Sequence, residues 1–281
     1  MCIMSSFRVR NFAESPCSGP KTAPHGWRPL VVGNIEKILA QYFKNSINDN
    51  QLVRALKNNG IKAVCFDMDG TLVDTEEANW TIIQEGCRNT AILSDSDIKS
   101  VQEVLESRKQ EYIGTTIVGF LEKLFNGLHI HEAAVTAQTI SDTKPQILRD
   151  LLTRGKINDF KKIIDLAKIL QRGGFKVSLV TSSTKDSADA ILEHFQIRRY
   201  FSPIITRDEV GDRRKEDPYP YNLAMQEFQV QPNQTLIFED SDPGIKSGRD
   251  SGAVVVALRN ISEQKLTTLK HHNIIPIDLV G

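Results

Sequence analysis

The chain has 281 residues, and its 35 Lys and Arg offset 35 Asp and Glu, giving zero formal charge. That balance argues against a dedicated binder of nucleic acid or of anionic membranes, since both normally carry a basic excess. Hydrophobic residues at 40% and charged residues at 25% fit a soluble globular protein of one large domain or two modest ones. The longest apolar run, Ala253 to Leu258, falls far short of the ~20 residues a membrane-spanning helix needs.

Residues 1–30 set Arg8, Arg10, Lys21 and Arg28 against Glu14 alone, a local charge of +3, in a stretch rich in Ser, Pro and Gly. A disordered tail and an organelle-targeting peptide both fit this composition, and no apolar segment follows to suggest a secretory signal. The four cysteines, Cys2, Cys17, Cys65 and Cys87, form no close pair of the kind zinc sites use. A reducing compartment, and hence the cytoplasm, is therefore the default location, with an organelle as the alternative.

From about Asn34 the period becomes helical, with Ile35, Ile38, Leu39 and Tyr42 on one face and Leu52 and Leu56 in a second segment. Asn58-Asn59-Gly60 supplies a stop, and Ile61 to Phe66 reads as a buried strand. The stretch from Asp74 to about Arg154 is helical in pattern, with Phe120 and Phe125 in an apolar stripe. Helices are then expected at Phe160 to Gln171, Ser187 to Phe195, Tyr221 to Phe228 and Gly244 to Ser251. Strands are expected at Lys176 to Val180, Pro203 to Thr206, Thr235 to Phe238 and Ala253 to Leu258. Such alternation indicates an α/β protein with a parallel sheet, and the helical block after the first core strand reads as an inserted second domain.

Ligands of open parallel sheets bind beyond the carboxyl ends of the strands. The first strand is followed by Asp67-Met68-Asp69-Gly70-Thr71, the second by Thr181-Ser182-Ser183, and the fourth is followed by Glu239-Asp240-Ser241. Lys215 lies in the loop after the third. An ionised carboxylate can attack phosphorus, and a second one nearby can protonate the leaving oxygen and later deprotonate a water. A phosphate dianion facing carboxylates needs positive charge, which Mg²⁺ on oxygen ligands and an ammonium would supply. Asp240 is the natural further metal ligand, Lys215 a neutraliser of phosphate charge, and Thr181 a hydrogen-bond donor to it.

The runs DMDGTLVDTE (67–76), VSLVTSS (177–183), KEDPYPY (215–221) and LIFEDSDPGIKSGRDSG (236–252) resemble, in order and spacing, the four motifs of the haloacid dehalogenase superfamily of phosphohydrolases. The position of the helical block resembles the subfamily with a small helical cap, which includes phosphoglycolate phosphatase and β-phosphoglucomutase. The resemblance implies a Rossmann-like parallel sheet core, residues 61–78 and 155–281, carrying an inserted α-helical cap domain, residues 79–154, behind an N-terminal extension at 1–60. It implies Asp67 as nucleophile, Asp69 as general acid and base, and Thr181, Ser182 and Lys215 on the phosphoryl group. Asp67, the backbone carbonyl of Asp69, Asp240 and Glu239 would surround Mg²⁺.

The expected activity is hydrolysis of a small phosphate ester through an aspartyl-phosphate, by a monomer or weak homodimer without nucleic-acid or membrane partners. A phosphosugar mutase and a catalytically silent binding protein are the alternatives. The third motif departs from the usual Lys-Pro-x-Pro by having Glu216, and Arg213 and Arg214 precede its lysine. Several neighbours have simpler readings: Asp74 as a cap or loop brace, Thr71 as a loop brace, Ser182 or Ser183 and Ser241 or Asp242 as helix caps, Arg213 and Arg214 as solvated surface. Thr115 and Thr116, beside Gly114, are weak specificity candidates, and His129 and His131 form a pair without metal partners at ligand spacing.

Overall fold

The computed structural model describes residues 29–112, 117–211, 213, 216–258 and 273–277. Two N-terminal helices, α1 (Pro29–Phe43) and α2 (Asp49–Asn58), precede strand β1 (Ala63–Phe66). Helix α1 starts some five residues before the apolar period becomes visible at Asn34, because Pro29 is well suited to a first helical turn. Asn48 and Gln51 close the start of α2 with a capping box.

The chain then forms β2 (Val73–Asp74) and a helical block: α3 (Glu76–Asn89), α4 (Asp95–Leu105), α5 (Lys109–Tyr112), α6 (Ile117–Gly127), α7 (Ala133–Asp142) and α8 (Lys144–Thr153). It returns through β3 (Asn158–Asp159), which pairs antiparallel with β2, Val73 opposite Asp159. The outgoing and returning connections of the block are thus tied side by side, a two-residue ribbon that the sequence pattern did not reveal. Phe120 and Phe125 are buried in the block's core, as their stripe suggested.

The remaining elements alternate: α9 (Lys161–Arg172), β4 (Lys176–Val180), α10 (Lys185–His194), β5 (Ile204–Ile205), α11 (Arg207–Val210), α12 (Tyr219–Phe228), β6 (Thr235–Glu239), α13 (Asp242–Asp250), β7 (Val254–Leu258) and β8 (Ile274–Ile277). Six strands form one parallel sheet in the order β5-β4-β1-β6-β7-β8. Strand β8 has no counterpart in the expected elements; Pro276 weakens the strand pattern, and an edge position is where a sheet tolerates proline.

Period-2 alternation divides the sheet between two cores. Val64 and Phe66 of β1, Leu236 and Phe238 of β6, and Val254 and Val256 of β7 face one side, where α9 and α10 also pack. Ala63, Cys65, Ile237 and Val255 face the other, with Tyr221, Met225 and Phe228 of α12 and Ile245 of α13. Val32, Ile35 and Leu39 of α1 and Leu52 and Leu56 of α2 join the first core, beside Ile275 and Ile277. The N-terminal helices are therefore part of the sheet's cover. Among the described residues, no helix is long and apolar enough to cross a membrane.

The strand order runs from β1 to β4 and β5 on one side and to β6, β7 and β8 on the other. The two halves diverge at β1, and the crevice beyond its carboxyl end is where an open α/β sheet presents a ligand site.

Candidate active site

Asp67 follows β1 directly, is 1% exposed, and continues the ladder by donating its backbone N–H to Phe238 at 3.0 Å. Next to it, the turn Met68–Val73 is tightened by the N–H groups of Leu72 and Val73 on the carbonyl of Met68. Gly70 has a φ of +86°, and a Cβ there would lie 2.0 Å from Asp240 Oδ2. Only glycine satisfies both the left-handed backbone and this close approach of Asp240. Thr71 is fully buried and donates its hydroxyl to Asp240 Oδ1 at 3.3 Å, so it does brace the loop, against Asp240.

Asp67, Glu239 and Asp240 each bring a carboxylate oxygen within 4.8 Å of the others, the one such cluster found among the described residues. Glu239, the last residue of β6, is completely buried, and its Oε2 accepts from the backbone N–H of Ser241 at 2.8 Å and from the Ser241 hydroxyl at 3.0 Å. The Tyr221 hydroxyl donates to its Oε1 at 3.4 Å. Burial pushes the Tyr221 phenol well above its ordinary pKa, and the nearby charges of Glu239 and Asp67 add to the effect. The phenol thus remains a proton donor across the neutral range. Gly244 makes room for the carboxylate: a Cβ there would lie 1.6 Å from Glu239 Oε1. Ser241 also accepts from the N–H of Gly244 at 3.3 Å, fulfilling its expected role as cap of α13.

The Asp69 carboxylate has separate partners. Thr75, just after β2, donates to Oδ1 at 2.6 Å, and Ser183, beyond β4, donates to Oδ2 at 2.8 Å. Ser183 is therefore not the cap of α10. Thr184 is the cap residue, without a side-chain bond, and Asp208 of α11 accepts the N–H of Lys185 at 2.6 Å in its place. Asp74 is likewise not the cap of α3, where Thr75 stands. Thr181 is buried and accepts the backbone N–H of Ser183 at 3.1 Å, which leaves its one hydroxyl proton to be donated elsewhere. Exposed Ser182 and buried Thr181 line, with Asp67, Arg207, Tyr221 and Glu239, a cavity of about 190 Å³ over the strand ends.

Lys215, Arg214, Gly114, Thr115 and Thr116 lie outside the described residues, as do Cys2 and Cys17. Arg213 is exposed, as its surface reading expects. Its guanidinium stacks 3.9 Å from the Tyr219 ring centroid and pairs with Asp217 at 3.9 Å, while Glu216 is half-buried. Cys65 and Cys87 are buried thiols, both pushed up to about 12 by burial, and behave as small core residues.

Four contributors, Thr75, Tyr221, Gly70 and Gly244, were not singled out from the sequence. Each lies inside a quoted motif, but its role depends on a neighbour brought in by the fold. The glycines carried the better signal, since a glycine beside a carboxylate in a strand-to-helix turn often marks a close approach.

The model of the haloacid dehalogenase-like hydrolase family matches residues 64–258. Similar proteins include the fructose-1-phosphate phosphatase YqaB of Escherichia coli (strain K12), 26% identical over 196 residues, covering 69% of this chain and 94% of the relative. The pyrophosphatase PpaX of Bacillus pumilus (strain SAFR-032) is 27% identical over 194 residues, covering 68% of this chain and 80% of the relative. A crystal structure of a HAD hydrolase, family IA, variant 3, from Entamoeba histolytica HM-1:IMSS shares the fold, with a TM-score of 0.59 at 22% identity, over 77% of this chain and 92% of that one.

Proposed function

The chain belongs to the haloacid dehalogenase-like hydrolase family, and from that premise we propose that it hydrolyses a small phosphorylated metabolite through an aspartyl-phosphate on Asp67. It is a phosphoric monoester hydrolase, with residues 61–78 and 155–281 as the catalytic core and 79–154 as the cap. The observation that carries this reading is the separation of two environments: Asp67 lies with Glu239 and Asp240, while the carboxylate of Asp69 is held by Thr75 and Ser183.

The donor set suits a hard divalent cation such as Mg²⁺: all-oxygen, carboxylate-rich and gathered within 4.8 Å. Asp67, Asp240 and the backbone carbonyl of Asp69 would hold the ion, with Glu239 a further ligand or the brace of its neighbours. When bound, the ion neutralises charge between the carboxylates and the phosphate so that both can approach.

The chain's own groups supply the rest. Asp67, fixed at the end of β1, attacks phosphorus, forming an Asp67 Oδ–P bond as the ester P–O bond breaks. Asp69 gives a proton to the leaving alkoxide, and its carboxylate then takes one from the water that attacks the aspartyl-phosphate, releasing inorganic phosphate and restoring Asp67. Thr181 donates its remaining hydroxyl proton to the phosphoryl oxygens, with Ser182 beside it and Lys215 as their counter-charge. The cap excludes bulk water and selects the leaving group.

The relatives' names, a fructose-1-phosphate phosphatase and a pyrophosphatase, support a phosphate ester or anhydride of modest size. The test is inorganic phosphate release from a panel of sugar phosphates, phosphoglycolate, glycerol phosphate and nucleotides, with and without Mg²⁺. Mg²⁺-dependent release from at least one, lost in Asp67→Asn, is expected. Folded protein releasing none, or equal release by Asp67→Asn, would refute the reading.

A further inference from the structure

One contact between the helical block and the core reaches the proposed catalytic machinery. Lys144, first residue of α8, donates its ammonium to Ser183 Oγ at 3.3 Å, and Ser183 Oγ donates in turn to Asp69 Oδ2 at 2.8 Å. The two bonds constrain each other. An ammonium has three donors and no acceptor, whereas a serine hydroxyl has a single proton. A hydroxyl between an ammonium and a carboxylate must accept from the first and donate to the second, so one rotor position remains.

The rest of Ser183 is already fixed. It is 6% exposed, its N–H donates to Thr181 Oγ1 at 3.1 Å, and its carbonyl accepts from the N–H of Arg207 at 3.0 Å. Only the hydroxyl direction is left to set. Lys144 stands on the block that packs on the core through α8 against α10, and that block's outgoing connection is followed by Thr75, which also donates to Asp69.

We propose that Lys144 is a positioning residue: docking of the cap brings its ammonium to Ser183, which directs the Ser183 proton onto Asp69 and holds that carboxylate in its working orientation. When the cap lifts, Lys144 leaves with it and the hydroxyl is free to turn. Catalysis is thereby confined to the closed site, where water is excluded. The proposal rests on the reading of Asp69 as the general acid and base.

A double-mutant cycle on the full chain tests it, with 4-nitrophenyl phosphate and Mg²⁺ as probe and Lys144→Met, Ser183→Ala and their combination as variants. Lys144→Met should lower kcat by about tenfold, the scale of one lost charge-assisted hydrogen bond, with KM within about twofold. In the Ser183→Ala background the same substitution should change kcat by less than about twofold, because the relay is already broken. Lys144→Arg, also a donor-only cation, should recover most of the loss.

Lys144 is half-exposed and Met retains its apolar stem, so an unchanged melting temperature is expected. Independent, multiplicative effects of the two substitutions would overturn the proposal. So would a rise in KM alone, which would make Lys144 a direct substrate contact. Asp69→Asn, assayed in parallel, separates the two readings: wild-type turnover in that variant sinks the role of Asp69 itself, whereas multiplicative effects in an enzyme that needs Asp69 sink only the relay.

Discussion

Replacing a helical glycine by alanine ordinarily stabilises a protein, by about 0.5–1 kcal/mol, because glycine loses the most backbone freedom on folding. At Gly244 the sign should reverse. The added Cβ would lie 1.6 Å from Oε1 and 2.0 Å from Cδ of a Glu239 that is completely buried. Moving the carboxylate strains a packed site, at a cost of about 1–3 kcal/mol. It also weakens the bonds from Ser241 and Tyr221, and each hydrogen bond to a charged group contributes about 1.5–3 kcal/mol. The net expectation for Gly244→Ala is a loss of roughly 3–5 kcal/mol, or about 6–12 °C in Tm for a chain of this size.

Gly33 in α1 is the internal control, since a Cβ there would meet nothing within 4 Å. Gly33→Ala should raise Tm by about 1–3 °C. Thermal unfolding followed by far-UV circular dichroism reads both, and Mg²⁺ titration by calorimetry should show weaker binding to Gly244→Ala alone. If both variants melt alike and bind Mg²⁺ as the parent does, the close packing of Glu239 on α13 is refuted.

Beginning the chain at Ile61 removes Val32, Ile35, Leu39, Leu52 and Leu56 from the core. Each is worth about 1.5–3 kcal/mol of burial, so the total rivals the ~5–15 kcal/mol stability of a whole domain. The truncated chain should bind a hydrophobic dye and lose its cooperative melt; an unchanged melt would show the two helices to be an ornament. Alkaline pH supplies a further test. Burial raises the Cys65 and Cys87 thiols from 9.0 to about 12, so the folded state disfavours ionisation that the unfolded chain allows. Their contribution is complete below pH 9.0 and is lost as pH rises towards about 12. Tm should therefore fall across that window, less steeply in Cys65→Ala/Cys87→Ala when each melt is referred to its own value at pH 8; equal slopes would contradict the assignment. Asp69→Asn should reduce turnover, read as phosphate release by the folded variant, at least a hundredfold, the low end of what general acid–base catalysis contributes.

The sheet was legible because a parallel strand buried on both faces must be apolar, and Ala63–Phe66, Leu236–Phe238 and Ala253–Leu258, inside the expected strands, meet that demand. Strand β8 was not, since Pro276 obscures it and its partner β7 is supplied by the fold. The two-residue β2–β3 ribbon is too short for any periodicity to show. At the site, Asp67, Asp240 and Glu239 come together because Glu239 ends a strand and the other two directly follow one, so the position of the strand fixes the position of the side chain.

The helpers depend on longer reach. Ser183 looked like a helix cap because serine before a helix usually is one, yet Asp208 from the next strand's end occupies that role and frees Ser183 for Asp69. Tyr221 reads in the sequence only as the start of the helix expected at Tyr221 to Phe228, and the fold alone sets its hydroxyl against Glu239. Lys144, separated from Ser183 by 39 positions, carried no local signal at all.

The central claim is that Asp67 carries the phosphoryl group during turnover. Borohydride quenching of the enzyme during turnover of its best substrate with Mg²⁺ would reduce an aspartyl-phosphate to homoserine, which peptide mass spectrometry locates. The account predicts homoserine at position 67 and at no other aspartate, dependent on substrate. Homoserine at another position, or its absence from an enzyme quenched while releasing phosphate, would contradict it.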